Sequence, residues 1–166
     1  MSDDQNIRKS TDFNNTNPEV IERIKEKEIN RIKEVMRILK QIKTPSTDNV
    51  GLDGSRAIWL IALHNWDYEN AGMIILNKMK RLYYREKTLV FYPGIPYLVD
   101  RIMVGKKHYD HNAKQLYGTQ GWVNVSNKKL VSSGSYPIFN PSHLAERRKK
   151  FCLTYNKETA MKCTHK

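Results

Sequence analysis

One long amphipathic segment restricts what this chain can become. From Ile21 to Ile42 the apolar residues Ile21, Ile24, Ile32, Val35, Leu39 and Ile42 recur at helical spacing, and charges of both signs fill the positions between them. Asn17-Pro18-Glu19 supplies the start. Asparagine caps, proline suits the first helical position, and the glutamate faces the positive end of the helix dipole. The spacing predicts a helix from residue 18 to about residue 43, with one face that must be covered. Glu28 and Arg31 interrupt a strict heptad, so the expected cover is the rest of the same domain and not a coiled-coil partner.

The remaining pattern supplies that cover. Thr44-Pro45-Ser46-Thr47-Asp48-Asn49 breaks the first helix, and Asp53 or Ser55 then caps a second, running to about Trp66. Ala57 to Leu63 is apolar on most sides, so this helix is expected at the centre of the fold. A third helix spans about Tyr68 to Arg85, with Met73, Ile74, Ile75, Met79 and Leu82 facing the core. Its end is basic: Lys78, Lys80, Arg81, Arg85 and Lys87. Tyr92-Pro93-Gly94 is a turn, and Pro96 opens a fourth helix over Tyr97 to Val104. An irregular stretch from Gly105 to Gln120 follows. Gly121–Val125 and Lys129–Val131 then pair as a short hairpin around Ser126-Asn127-Lys128. Pro141-Ser142 opens a basic helix through Lys150.

The expected class is therefore mainly α. One compact domain of about five helices occupies residues 18–154, with a short β-hairpin or irregular segment late in the chain. Residues 1–17 are expected as a flexible polar tail and 155–166 as a C-terminal tail. The 166-residue length suits one domain, and 39% hydrophobic with 28% charged residues excludes wholesale disorder.

Several classes are excluded or disfavoured. The longest strongly apolar run, Ala57 to Leu63, is far short of the roughly 18 residues of a membrane span. The first residues lack a signal-peptide pattern, and Cys152 and Cys163 are too few for a disulfide scaffold. A reducing cytoplasm is the expected setting, with no membrane contact. Cys152, between Phe151 and Leu153, reads as a small core residue. The chain has no glycine-rich phosphate loop, no dinucleotide fingerprint, no nucleophile elbow and no paired Cys-x-x-Cys units. His108-Tyr109-Asp110-His111 has the look of a metal-ligand cluster without a further ligand, and neither metal nor cofactor is expected.

Charge says more. Residues 1–77 hold eleven Lys/Arg and twelve Asp/Glu, a net of −1, whereas residues 78–166 hold eighteen and five, a net of +13. A potential of that size attracts polyanions. RNA, DNA or a nucleotide is the partner class this implies, against the plainer reading of a solvated, lysine-rich surface. The sequence carries no signal for an oligomeric state.

Four segments keep polar residues inside core-like patterns: Asp53-Gly-Ser-Arg56-Ala-Ile-Trp59-Leu-Ile-Ala-Leu-His64, Tyr97-Leu-Val-Asp100-Arg101, Gln115-Leu-Tyr117-Gly118-Thr119-Gln120, and Glu146-Arg147-Arg148. In these blocks, and in their order, the chain resembles an uncharacterised, mainly bacterial domain-of-unknown-function family. The resemblance covers about residue 53 to residue 150. It implies a shared fold and a shared polar site, and no particular reaction. Trp66 stands where that family carries an acid two places after the histidine, with Asp67 the nearest carboxylate, and the loop from Arg101 to Gln115 is long.

The same residues have a physical reading of their own. Arg56 and His64 are eight residues apart, which leaves them about 80° apart on one side of a helix. Tyr97 and Arg101 also share a face. Buried arginine or histidine needs partners, which Asp53 or Asp100 supplies. Two readings stay open. One is a structural network in which Gly118 permits a turn. The other is a cleft in which Arg56 and Arg101 clamp an anion, His64 transfers a proton, and Tyr117 and Gln120 orient the substrate. Asp53, Asp100, Gln115, Thr119, Arg147 and Arg148 would line it. The cleft reading points to a metal-independent hydrolase or ribonuclease-like phosphodiesterase acting on RNA or a nucleotide. The alternatives are a basic nucleic-acid-binding module using Lys78, Lys80, Arg81, Arg85 and Arg147–Lys150, or a helical adaptor using the first helix.

Overall fold

The computed structural model describes residues 18–42, 44–86, 93–107, 110–126 and 129–153. The two tails expected at residues 1–17 and 155–166 lie outside the described residues, as do His108, the middle of the hairpin turn and Cys163.

Among the described residues five α-helices and one hairpin form the fold, as the hydrophobic pattern requires. Helix α1 spans Pro18–Ile42 and lays Ile32, Val35 and Leu39 into the core. Helix α2 spans Thr47–His64. It starts earlier than the pattern suggests, because Ser46 Oγ accepts from Asn49 N at 3.3 Å and caps the first turn. Gly51, at φ 69°, then kinks the helix before Asp53 and Ser55, so neither of these is the cap at its start. After a 3-10 turn at Tyr68–Asn70, α3 spans Ala71–Arg81 and widens into a π-helical turn at Leu82–Glu86. Helix α4 spans Gly94–Gly105. Strands β1 (Gly121–Ser126) and β2 (Lys129–Ser135) pair antiparallel, with Gly121 opposite Ser135 and a bulge between Asn124 and Val125. A 3-10 turn at Pro141–His143 leads into α5, Leu144–Lys150.

The central helix is α4, not α2. Nine of the twelve α4 residues are buried, whereas α2 buries only Ser55, Ile58 and Ala62 and leaves Trp59, Leu60, Ile61 and Leu63 half-covered. Periodicity identified α2 as apolar all round, but it could not say which helix would have neighbours on every side. Helix α4 packs on α2 and on α3, and the Gln115–Gln120 segment covers its third side. Trp59 of α2 and Trp66 just beyond it fix the first contact: a Cβ on Gly94 would sit 2.5 Å from the Trp59 ring, and one on Gly105 would collide with the ring of Trp66. On α3 the core side is Ile75, Leu76, Met79 and Leu82, while Ile74 is exposed. Phe151, just after α5, closes the same core. A small second cluster of Val104, Ala113 and Tyr136 lies under Trp122 of the hairpin. No helix among the described residues is long and apolar enough to cross a membrane.

Candidate functional site

The polar residues of the four sequence blocks fall into two groups. The first is organised by Asp100. This residue is fully buried on α4, and its carboxylate accepts from Leu116 N at 2.8 Å, Tyr117 N at 3.1 Å, Thr119 N at 3.0 Å and Thr119 Oγ1 at 2.9 Å. One side chain therefore satisfies three of the N–H donors of a turn that has no strand or helix to pair with. Gly118 makes the turn feasible at φ 70°, a region that costs an L side chain roughly 1–2 kcal/mol. Burial pushes the Asp100 carboxyl above the ordinary carboxylate value, against the downward pull of the Thr119, Leu116 and Tyr117 donors.

Gln115 closes the turn. Also fully buried, it donates from Nε2 to Gln120 O at 2.9 Å and Tyr136 O at 2.8 Å, and its Oε1 accepts from Gln120 N at 2.8 Å. Its backbone pairs with Pro137 and Phe139 in an isolated parallel bridge. Both N–H donors of its amide and one lone pair of the amide oxygen are thus used. Gln120 is half-buried, and its Nε2 reaches Tyr97 O and Thr119 Oγ1 only at 3.4 Å.

The two arginines of α5 grip this turn from outside. Arg147 Nε donates to Leu116 O at 2.9 Å, and its Nη2 donates to Phe139 O at 2.7 Å and Asn140 O at 3.1 Å. Arg148 Nη1 donates to Tyr117 O at 3.1 Å and its Nε to Leu153 O at 3.0 Å. A planar fork meeting several carbonyls is arginine's particular aptitude. Here it is spent on backbone. The Tyr117 ring sits edge-on to Phe151, centroids 5.5 Å apart. Burial, with Tyr84 and Asp100 nearby, pushes its hydroxyl up to about 12.

Asp100, Gln115, Tyr117, Thr119, Gln120, Arg147 and Arg148 are thus brought together. The second group is placed by the helices. Asp53 and Arg56 are exposed on α2, His64 is half-buried at its last position, and Arg101 is half-buried on α4. A hollow of about 570 Å³ opens beyond the C-terminal end of α4, against Met103, Ala113, Lys106, Lys107 and Lys114. None of Arg56, His64, Arg101, Tyr117 or Gln120 is among its walls. In the His108–His111 segment, Asp110 accepts from Asn112 N at 2.9 Å, and His111 stacks on Trp122 with centroids 4.1 Å apart. Cys152 is half-buried at φ 54° rather than a core residue, because the chain turns out of α5 there.

A different surface emerges where α3 meets α5. Tyr83 Oη donates to Lys150 O at 2.7 Å, and the Tyr83 ring stacks on Phe151 with centroids 5.2 Å apart. This bond fastens two basic segments that are distant in sequence. Lys80 and Arg81 lie just before it on α3, and Lys149 and Lys150 end α5. Tyr84 follows Tyr83 in the π-helical turn and is 58% exposed. Burial raises its hydroxyl pKa, and the Lys150 charge pulls it down. Glu146 is the acidic neighbour, 3.4 Å from Lys150 Nζ across an exposed pair. The basic runs were visible in the sequence, but the part played by Tyr84 was not. The signal was a Tyr-Tyr pair directly after a basic run, aromatic interleaved with cationic.

No match to this chain was found among protein-family models, curated proteins or solved structures.

Proposed function

We propose that this protein is a nucleic-acid-binding module that grips a polyanion backbone along the seam between α3 and α5. The observation that carries the reading is the Tyr83–Lys150 hydrogen bond, which ties the turn that follows Lys80 and Arg81 to the end of α5, where Lys149 and Lys150 stand. Lysine ammonium groups on a shared rim form a sequence-independent phosphate contact. The internal charge balance supports it: Asp100 is buried within the turn, so it offsets little of the positive charge at the surface.

Of the residues in the hydrolase reading, four that would line its cleft are engaged in holding the fold. Asp100, Gln115, Arg147 and Arg148 direct their polar atoms at backbone groups, which leaves them occupied rather than aimed at a substrate. Kinship with the family that the motif blocks resemble is proposed on the same footing. Three of its four blocks meet around the Asp100-held turn, which is what a shared fold would need to preserve.

Salt titration tests the function. If about five phosphates are contacted, log K for a single strand falls with log salt at a slope near −3.5. That is roughly a hundredfold loss between about 50 and 200 mM salt. Reversing charge with Lys80→Glu and Lys149→Glu flattens that slope. Affinity that ignores salt, or survives both substitutions, refutes the assignment.

A further inference from the structure

We infer that Tyr84 is a stacking platform for an unpaired base, so that the nucleic acid taken at the α3–α5 seam is single-stranded. This rests on the backbone-gripping function proposed above and names its ligand class. The ring makes two T-shaped contacts: it meets Tyr83 at 82° with centroids 4.8 Å apart, and Phe151 at 86° with centroids 6.5 Å apart. Two T-shaped contacts orient a ring while leaving much of its surface open. The side chain is accordingly 58% exposed, although its neighbours Leu82 and Tyr83 are buried and half-buried. A large aromatic that is anchored but uncovered gains nothing further from the core.

Its place in the backbone is also unusual. The residue sits in the π-helical turn Leu82–Glu86 that continues α3. Turns of this kind occur mostly as single interruptions of α-helices, frequently at functional sites. Here the wider turn follows Lys80 and Arg81 directly. Across the seam, Lys150 accepts the Tyr83 hydroxyl at its backbone carbonyl. An exposed aromatic ring in a basic segment is the combination that binds single strands with little sequence preference, because every base has a face to stack. A duplex, whose bases are already stacked on each other, has none to offer at that position.

The test compares a labelled oligodeoxyadenylate of roughly twelve nucleotides with an abasic oligomer of equal length and with the matching duplex, by fluorescence anisotropy. Phosphate charge is thus matched between the two single strands while the bases are present or absent. The wild-type protein is expected to prefer the oligodeoxyadenylate over the abasic strand by about tenfold. Tyr84→Ala and Tyr84→Leu both remove that preference, and Tyr84→Phe keeps it. The leucine variant retains apolar packing on Tyr83 and Phe151, so its loss reports the π face rather than the fold. Equal affinity for both single strands, or a preference unchanged in Tyr84→Leu, overturns the stacking inference while leaving the backbone grip intact. Failure of all three probes to bind overturns the grip itself.

Discussion

Replacing Asp100 with asparagine keeps the size and shape of the side chain and changes one acceptor into a donor. The carboxylate receives four donors: three backbone N–H groups and one hydroxyl. If the new NH₂ takes the Oδ2 position, Thr119 N–H faces a donor and loses its acceptor. If it takes the Oδ1 position, Leu116 N–H does. Tyr117 N–H reaches both oxygens at 3.1 Å and keeps one either way, and the Thr119 hydroxyl can rotate to accept. At least one buried N–H is therefore orphaned, at about 1–3 kcal/mol, and the surviving bonds lose their charge assistance, roughly another 1 kcal/mol. We expect Asp100→Asn to cost about 3 kcal/mol, seen as a fall in Tm of roughly 10 °C for a chain of this size. The opposing effect is relief of a buried charge, which is what raises the Asp100 pKa. Urea unfolding followed by circular dichroism measures the balance, and hydrogen exchange at Leu116, Tyr117 and Thr119 localises it. An asparagine variant as stable as the parent, or more so, means desolvation outweighs the turn, and the reasoning fails. The pH dependence has a definite sign. A carboxyl with a raised folded pKa stabilises most below its ordinary value of 3.8. That contribution is lost as pH rises through the raised value. The stability gap between parent and Asp100→Asn should narrow over that climb.

Tyr117 titrates late, about 12 against an ordinary 10.0. Its contribution is complete below pH 10.0 and disappears as pH rises toward 12, so Tyr117→Phe should blunt alkaline unfolding in that window. A tyrosinate absorbance titration with every ring ionising near its ordinary value contradicts this. Glu146→Gln frees Lys150 from an exposed pair at 3.4 Å. Polyanion affinity should then rise by up to about fivefold with little change in stability, as expected for a surface ion pair; weaker binding would place the contact elsewhere. Gly118→Ala puts a Cβ at φ 70° and 3.2 Å from Ile138 Cδ1, for a loss of about 1–2 kcal/mol in denaturant unfolding. A neutral result would show that the turn relaxes without cost.

The sequence by itself determined the helical class, the stripe on α1, the hairpin and the lopsided charge. Each depends on spacing between near neighbours, which the chain fixes before anything packs. It also singled out Gln115-Leu-Tyr-Gly-Thr-Gln120 as a segment that no periodicity explains. Tertiary structure alone decided the centre and the chemistry. Helix α4 became the core because other elements cover it on several sides, a property that local hydrophobicity does not encode. Asp100 became the holder of a turn, and Arg147 and Arg148 its outer clamps, because carbonyls and N–H groups sixteen to thirty-one residues away happened to need partners. A polar residue's role depends on which unpaired group arrives beside it, and that is settled only when distant segments meet, as at Tyr83 and Lys150.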